Sequence, residues 1–223
     1  MNFDHFTLGF SDFYIQDDFF EDPYAVREEI LAIKDFVRGD TANYSGYAAS
    51  LSDELRASVK QRVEQSIGHK IKQGTNRDMD MSARLSSRGD ERLAKSFVHC
   101  DIHPFTAMIY LSPPECIPDG IEYGTRLYES REHGINTIMY ERLKYRLRQK
   151  WTKEEFDNYI AECINNSFNL LYWKRTAHAE FNFNRLCIIE GQRFHSGSPV
   201  YYGESREQGR LSINFFFELD EGE

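Results

Sequence analysis

The stretch Ser96-Phe97-Val98-His99-Cys100-Asp101-Ile102-His103-Pro104 decides how the rest of this chain is read. In an extended strand, residues i and i+2 point to one face, about 6.5–7 Å apart. Read as a strand over Ser96–His103, the segment sets His99 and Asp101 on one face, able to lean onto one ion, while Val98, Cys100 and Ile102 face the other way. On a helix the same pair would diverge by about 200° and could not share an ion. Buried imidazole and carboxylate need partners, and a cation is the simplest shared one. The bland alternative is a hydrogen-bonded His–Asp pair on a polar strand face. His103 shares the face and competes with His99 as a ligand, although Pro104 ends the ladder beside it.

A third ligand has to come from elsewhere. Of the seven histidines, His195 stands out because it follows the apolar run Leu186–Ile189 and the turn Glu190-Gly191-Gln192. Two histidines and one carboxylate on a rigid β frame, with coordination positions left open, form the facial triad of non-haem Fe(II) oxygenases. Fifteen residues beyond His195 comes Arg210-Leu211-Ser212, in which Arg210 and Ser212 share one strand face. A guanidinium beside a hydroxyl is well suited to hold a carboxylate through charge-assisted hydrogen bonds.

The ordered set His99-Cys100-Asp101, His195 and Arg210-Leu211-Ser212 resembles the 2-oxoglutarate/Fe(II)-dependent oxygenase superfamily. The run from Phe105-Thr106-Ala107-Met108-Ile109-Tyr110-Leu111 to Gly124-Thr125-Arg126-Leu127-Tyr128 is similar to its prolyl-hydroxylase-like branch. The resemblance spans roughly residues 79–217, and the N-terminal helices fit it only loosely. It implies a double-stranded β-helix (jelly-roll) core, with Fe(II) held by His99, Asp101 and His195. It also implies that Arg210, helped by Ser212 and Tyr110, binds the distal carboxylate of 2-oxoglutarate, with O2 as co-substrate and succinate and CO2 as products. Halogenases of the superfamily replace the carboxylate ligand by Gly or Ala, so the retained Asp101 implies a hydroxylase. The interval from His195 to Arg210 is longer than is usual in that branch, which makes Arg206 a competitor; strand context with Ser212 favours Arg210.

Outward from these motifs the expected fold class is α+β: a jelly-roll core with N-terminal helices and a helical insertion. One domain is expected over residues 1–223, helical over 1–75, with the core over 76–223 and the insertion at about 136–172. Asp22-Pro23 reads as an N-cap and first helical position, with Val26, Ile30 and Ile33 at helical spacing through Phe36. A second helix runs from Ser52 to Ile67 with Gly68 as its stop. Alternation at Met79, Met81, Ala83 and Leu85 reads as a strand, as do Phe105–Leu111, Thr125–Glu129, Arg185–Glu190 and Gly209–Leu219. The insertion stacks Met139, Leu143, Leu147 and Trp151. After the capping box Thr152-Lys153-Glu154-Glu155 it stacks Phe156, Ile160, Ile164 and Phe168. Arg142, Arg146 and Lys150 read as a solvated basic face, and Tyr172 and Trp173 as candidates to line a substrate pocket.

The 223 residues are 40% apolar and 28% charged, with 14 Gly and 6 Pro, which excludes collagen-like and predominantly disordered chains. No apolar run is long enough to span a bilayer and no secretory signal is evident. A net charge of −9 disfavours general nucleic-acid binding. Four scattered cysteines, without a C-x-x-C pair, fit reduced thiols in a cytoplasmic setting. The substrate class stays open among amino acids, peptides or proteins, and small molecules, as does the oligomeric state. The competing functions are a cupin-like metal protein and a non-catalytic jelly-roll binding module. A serine hydrolase lacks its G-x-S-x-G elbow.

Overall fold

The computed structural model describes residues 8–9, 11–38, 46–73, 81–90, 98–120, 122–138, 151–198 and 201–220. The fold is α+β, built from two antiparallel sheets with few helices. The larger sheet contains β1 (Tyr14–Gln16), β2 (Val37–Arg38), β3 (Tyr47–Ser50), β4 (Ile71–Gln73), β5 (Ser82–Ser86), β6 (Phe105–Tyr110), β9 (Arg185–Glu190) and β11 (Arg210–Leu219). Their order is β1-β9-β6-β11-β5-β3-β2, and β4 pairs with the far end of β11. The smaller sheet has the order β10-β7-β8, from β7 (Gly124–Ser130), β8 (Trp173–Glu180) and β10 (His195–Gly197). No helix among the described residues is long and apolar enough to cross a membrane.

Side-chain alternation along the large sheet divides it into two faces. Ala83, Leu85, Phe105, Ala107, Ile109, Leu186, Ile188, Leu211, Ile213, Phe215 and Phe217 point to one side. There they meet Ile30 of α1 (Pro23–Leu31) and Leu55, Val59 and Val63 of α2 (Asp53–Ile67). Each Leu, Ile, Val or Phe among them contributes about 1.5–3 kcal/mol by leaving water. The opposite face carries Met108, Tyr110, Cys187 and Ile189, which pack with Leu127, Ala179, Phe181 and Tyr202 in the space toward the small sheet.

The helix termini follow their sequence signals. Asp22 caps α1 by accepting from the Ala25 N–H, with Pro23 at the first position. Ser52 caps α2, which ends at Gly68 with φ 72°, the left-handed conformation that glycine adopts without a steric penalty. In α3 (Lys153–Asn165) both halves of the Thr152–Glu155 capping box are made. α1 ends at Leu31 and does not continue to Phe36. Ile33 and Phe36 still reach the helix-side core, but from a turn, because Val37 and Arg38 pair with Ala48 and Tyr47 at the sheet edge.

Three further expectations are corrected. Ser96–His103 is not a strand: among its described residues only His99 makes a ladder contact, an isolated bridge to His195, and Ile102 is exposed. The backbone hydrogen bonds that hold this segment go to a strand start and a turn instead. The buried residues of α3 are Tyr159 and Cys163, whereas Ile164 and Phe168 are exposed. A third apolar cluster of Val98, Tyr128, Ile135, Trp173 and Phe194 receives the Tyr159/Cys163 side of the helix. Finally, the N-terminal part supplies four short strands besides its two helices, and β8 follows α3. The expected alternation at Asp78, Met79 and Asp80 lies outside the described residues. So do Met139, Leu143 and Leu147 and the basic face of Arg142, Arg146 and Lys150.

Candidate metal centre

His99 and His195 face each other as one antiparallel residue pair. His99 N donates to His195 O at 3.0 Å, and His195 N donates to His99 O at 2.8 Å. Two residues on, the Asp101 N–H donates to the Gly191 carbonyl at 2.7 Å. That approach requires glycine, since a Cβ at position 191 would lie 2.6 Å from His103 O and 2.7 Å from Thr106 Oγ1. The bridge and the turn, rather than a full strand, bring His99, Asp101 and His195 together, with one ligand atom from each within 4.8 Å of the others. Asp101 Oδ1 lies 3.6 Å from His99 Nε2 and Oδ2 lies 3.3 Å from His195 Nε2, and the two imidazole centroids are 4.4 Å apart.

The protonation pattern shows what this geometry needs. His195 Nδ1 lies 2.8 Å from the Arg193 carbonyl oxygen, so that nitrogen carries the proton and donates. In the neutral ring Nε2 then presents a lone pair to a carboxylate oxygen, and only a cation between them, a proton or a metal ion, makes that contact favourable. Burial pulls the His195 pKa down, but the Asp101 charge and hydrogen bond outweigh it and leave it raised. Burial likewise pushes Asp101 up, yet His195, His99 and the Thr106 hydrogen bond hold it at about 2. Thr106 Oγ1 donates to Asp101 Oδ2. Arg193, which supplies the acceptor for His195, is anchored to Asp12 at 2.9 Å and to the Ser11 carbonyl at 2.7 Å. The donor set of two imidazoles and one carboxylate, with His195 and Asp101 each oriented by a neighbour, fits a divalent transition metal with coordination positions to spare. A second group of potential ligands, Glu132, His133 and Glu162, lies near α3 and is more exposed.

Across the same inter-sheet space lies the Arg210 guanidinium. Its carbon sits 5.6 Å from the Phe181 ring centroid, and a Cβ on Gly197 would be 3.5 Å and 3.6 Å from its terminal nitrogens. Among the described residues no carboxylate pairs with it. Tyr110 is fully buried beside it, its hydroxyl 2.8 Å from Thr125 Oγ1, and Thr125 donates to Met108 Sδ at 3.2 Å. A half-buried guanidinium with no described acid beside it, flanked by aromatic rings, has the charge and the donors to hold an anion.

The other residues singled out in the sequence fall elsewhere. Arg206 is exposed, donating to the Ile33 carbonyl at 3.2 Å with its guanidinium 4.5 Å over the Phe36 ring, so it stays at the end of α1. His103 stacks near Phe216 at 5.2 Å and is not in the His–Asp–His group. Ser212 is on the cavity face, but its hydroxyl donates to Asn214 Oδ1 at 2.7 Å. Trp173 is core, 2% exposed, with Nε1 donating to the Asn166 carbonyl. Tyr172 packs beside that core cluster. Sequence reasoning passed over Thr106, Thr125, Gly191 and Asn214. Strand parity offered a signal for two of them, since Thr106 shares a face with Tyr110 and Asn214 with Arg210.

Solved structures share this architecture. The chain is similar to a prolyl hydroxylase from Trichoplax adhaerens in complex with a hypoxia inducible factor peptide, with TM-score 0.51 and 12% identity over 95% of this chain and 85% of that one. It is similar to the non-haem alpha-ketoglutarate-dependent carbocyclase SnoK of nogalamycin biosynthesis, with TM-score 0.54 and 14% identity over 94% and 79%. It is also similar to HygX from Streptomyces hygroscopicus with nickel and 2-oxoglutarate bound, with TM-score 0.50 and 11% identity over 93% and 83%. At such identities the likeness is one of fold. No curated protein matches the sequence. Over residues 5–217 the chain matches a family of unknown function, DUF6445, and it belongs to that family.

Proposed function

We propose that this protein is an Fe(II)/2-oxoglutarate-dependent oxygenase on a jelly-roll core, hydroxylating an unactivated C–H bond of an amino acid, a peptide or protein, or a small molecule. One observation carries the reading: the His99–Asp101–His195 group and the Arg210 guanidinium, which no described acid pairs, lie toward the same face of the large sheet, Asp101 held by Thr106 and Arg210 beside Tyr110. The similar folds of a prolyl hydroxylase, a non-haem alpha-ketoglutarate-dependent carbocyclase and a protein with nickel and 2-oxoglutarate bound support it. When bound, Fe(II) and 2-oxoglutarate with O2 supply the oxidising power for hydroxylation, releasing succinate and CO2.

The chain's own residues do the rest. His99, Asp101 and His195 hold the metal, with Thr106 fixing one carboxylate oxygen and the Arg193 carbonyl fixing the His195 tautomer. Arg210 takes the distal carboxylate of the 2-oxo acid against Phe181 and Tyr110, in surroundings from which water is largely excluded. Retaining Asp101 as a ligand leaves no place there for a halide, which favours hydroxylation over halogenation.

The test is anaerobic addition of Fe(II) and 2-oxoglutarate to the metal-free protein, watching for the visible metal-to-ligand charge-transfer band, with Arg210→Ala and Arg206→Ala alongside. The expected result is a band in wild type and Arg206→Ala, weakened or lost in Arg210→Ala. Stoichiometric iron without a band would replace this reading with a cupin-like metal protein. No iron binding would leave a non-catalytic binding module.

A further inference from the structure

Alternation along β11 puts Arg210, Ser212 and Asn214 on the cavity face, opposite Leu211, Ile213 and Phe215 in the helix-side core. A serine hydroxyl has one proton, and that of Ser212 is given to Asn214 Oδ1 at 2.7 Å. What remains on Ser212 is lone pairs, which repel a carboxylate. Tyr110 and Thr125 share a 2.8 Å hydrogen bond in which either hydroxyl can donate, and Thr125 also reaches Met108 Sδ at 3.2 Å. The Ser212 hydroxyl therefore has no proton to spare.

Asn214 does. With Oδ1 occupied by Ser212, both protons of Nδ2 remain, and no described residue accepts them. The side chain is half-buried, and its place in the sheet is defined by register. Asn214 pairs with Met108, between the Tyr110/Ser212 pair and the Thr106/Phe216 pair. Tyr110 lies beside Arg210, and Thr106 holds Asp101. The amide thus stands between the guanidinium end and the metal-ligand end of the cavity, with its roll angle set by a hydroxyl.

We propose that Asn214 donates to an acceptor oxygen of the bound 2-oxo acid and that Ser212 is a positioning residue acting through it, rather than a second donor to the distal carboxylate beside Arg210. This rests on the oxygenase reading and assigns the serine of the Arg210-x-Ser212 motif a different task. Both residues lie beyond the metal ligands, so binding of the metal and of the 2-oxo acid separate the roles.

The experiment uses the full chain loaded anaerobically with Fe(II), titrated with 2-oxoglutarate by the charge-transfer band. The same titration is repeated by calorimetry on Mn(II)-loaded protein, for wild type, Asn214→Leu, Ser212→Ala and Ser212→Thr. Asn214→Leu keeps size but removes the donors, and it is expected to weaken 2-oxoglutarate about tenfold or more while metal affinity stays within about twofold. Ser212→Ala is expected to weaken it several-fold, and Ser212→Thr, which restores the hydroxyl, to return it to near wild type. Undiminished 2-oxoglutarate affinity in Asn214→Leu overturns the proposal. Failure of Ser212→Thr to recover what Ser212→Ala loses overturns the positioning role. Wild type that takes the metal but no 2-oxoglutarate overturns the oxygenase reading itself.

Discussion

The two faces of the large sheet are made by the same strands and differ by one residue of phase. On the helix side Leu211, Ile213, Phe215 and Phe217 are all fully buried among other apolar groups. On the cavity side Arg210, Ser212, Asn214 and Phe216 alternate with them, and three of these four are polar. The helix side satisfies itself, because apolar atoms need only close packing. The other side carries a guanidinium that no described acid pairs and an amide whose protons no described residue accepts. One ladder thus separates a self-contained apolar face from a polar one, and a substitution's consequence follows from the parity of its position.

The largest test of that division is Phe215→Ala. Removing a fully buried ring should cost about 3–5 kcal/mol of unfolding free energy in urea, whereas Arg210→Ala, five residues away on the other face, should leave the urea midpoint nearly unchanged. Equal loss in both would end the distinction. Next comes Asp101→Ala, which takes away the carboxylate that both imidazoles face. Metal affinity, followed by competition with a chelating dye, should fall by more than about 100-fold. His133→Ala, in the more exposed Glu132–His133–Glu162 group, should leave it unaltered.

Acid separates the faces as well. On the helix side Glu64 accepts from Lys60, Lys70 and the Ile71 N–H. Burial alone would raise its carboxyl, but these partners hold it at about 2 against an ordinary 4.5. A lowered folded-state pKa means that this contribution is complete above about pH 4.5 and is lost as pH falls toward 2. Melting temperature should therefore decline through that window, and less steeply in Glu64→Gln. At the metal-ligand group the sensitive residue is His195, whose pKa is raised, so that its proton competes with the metal. Metal affinity should weaken as pH drops below the His195 pKa, well before Glu64 responds. The smallest effect expected is for Ser52→Ala, which removes the cap of α2 and should cost about 1 kcal/mol without touching metal binding.

Local signals were the most legible part of the sequence. Ser52 and Gly68 bound α2, Thr152 and Glu155 make their box, and Arg185–Glu190 is a strand with the same limits in sequence and structure. Each depends on neighbours in the chain. What could not be read depends on distant partners. His99 is fixed by a bridge to a residue 96 positions away, so the segment around it needs no strand of its own. β8 shows no clean alternation, because its middle is exposed and its pairing with β7 shifts between Leu127 and Tyr128. The helical period of α3 was visible, but the cluster around Trp173 takes Tyr159 and Cys163 together with Phe156 and leaves Ile164 exposed. The triad residues and Arg210 were legible as types at intervals. The engagement of Ser212 by Asn214 was not, since spacing alone says nothing about where a hydroxyl proton goes.

β11 lies inside its sheet, with β6 on one side and β5 and β4 on the other, yet it follows all three in the chain. During synthesis its partners leave the ribosome first and must wait, with two unpaired edges, for the strand that joins them. That strand brings Arg210, Ser212 and Asn214 with it. The step that closes the sheet and hides its sticky edges is therefore also the step that sets the Arg210 guanidinium beside Phe181 and Tyr110, so a nascent chain cannot complete that polar face ahead of the fold.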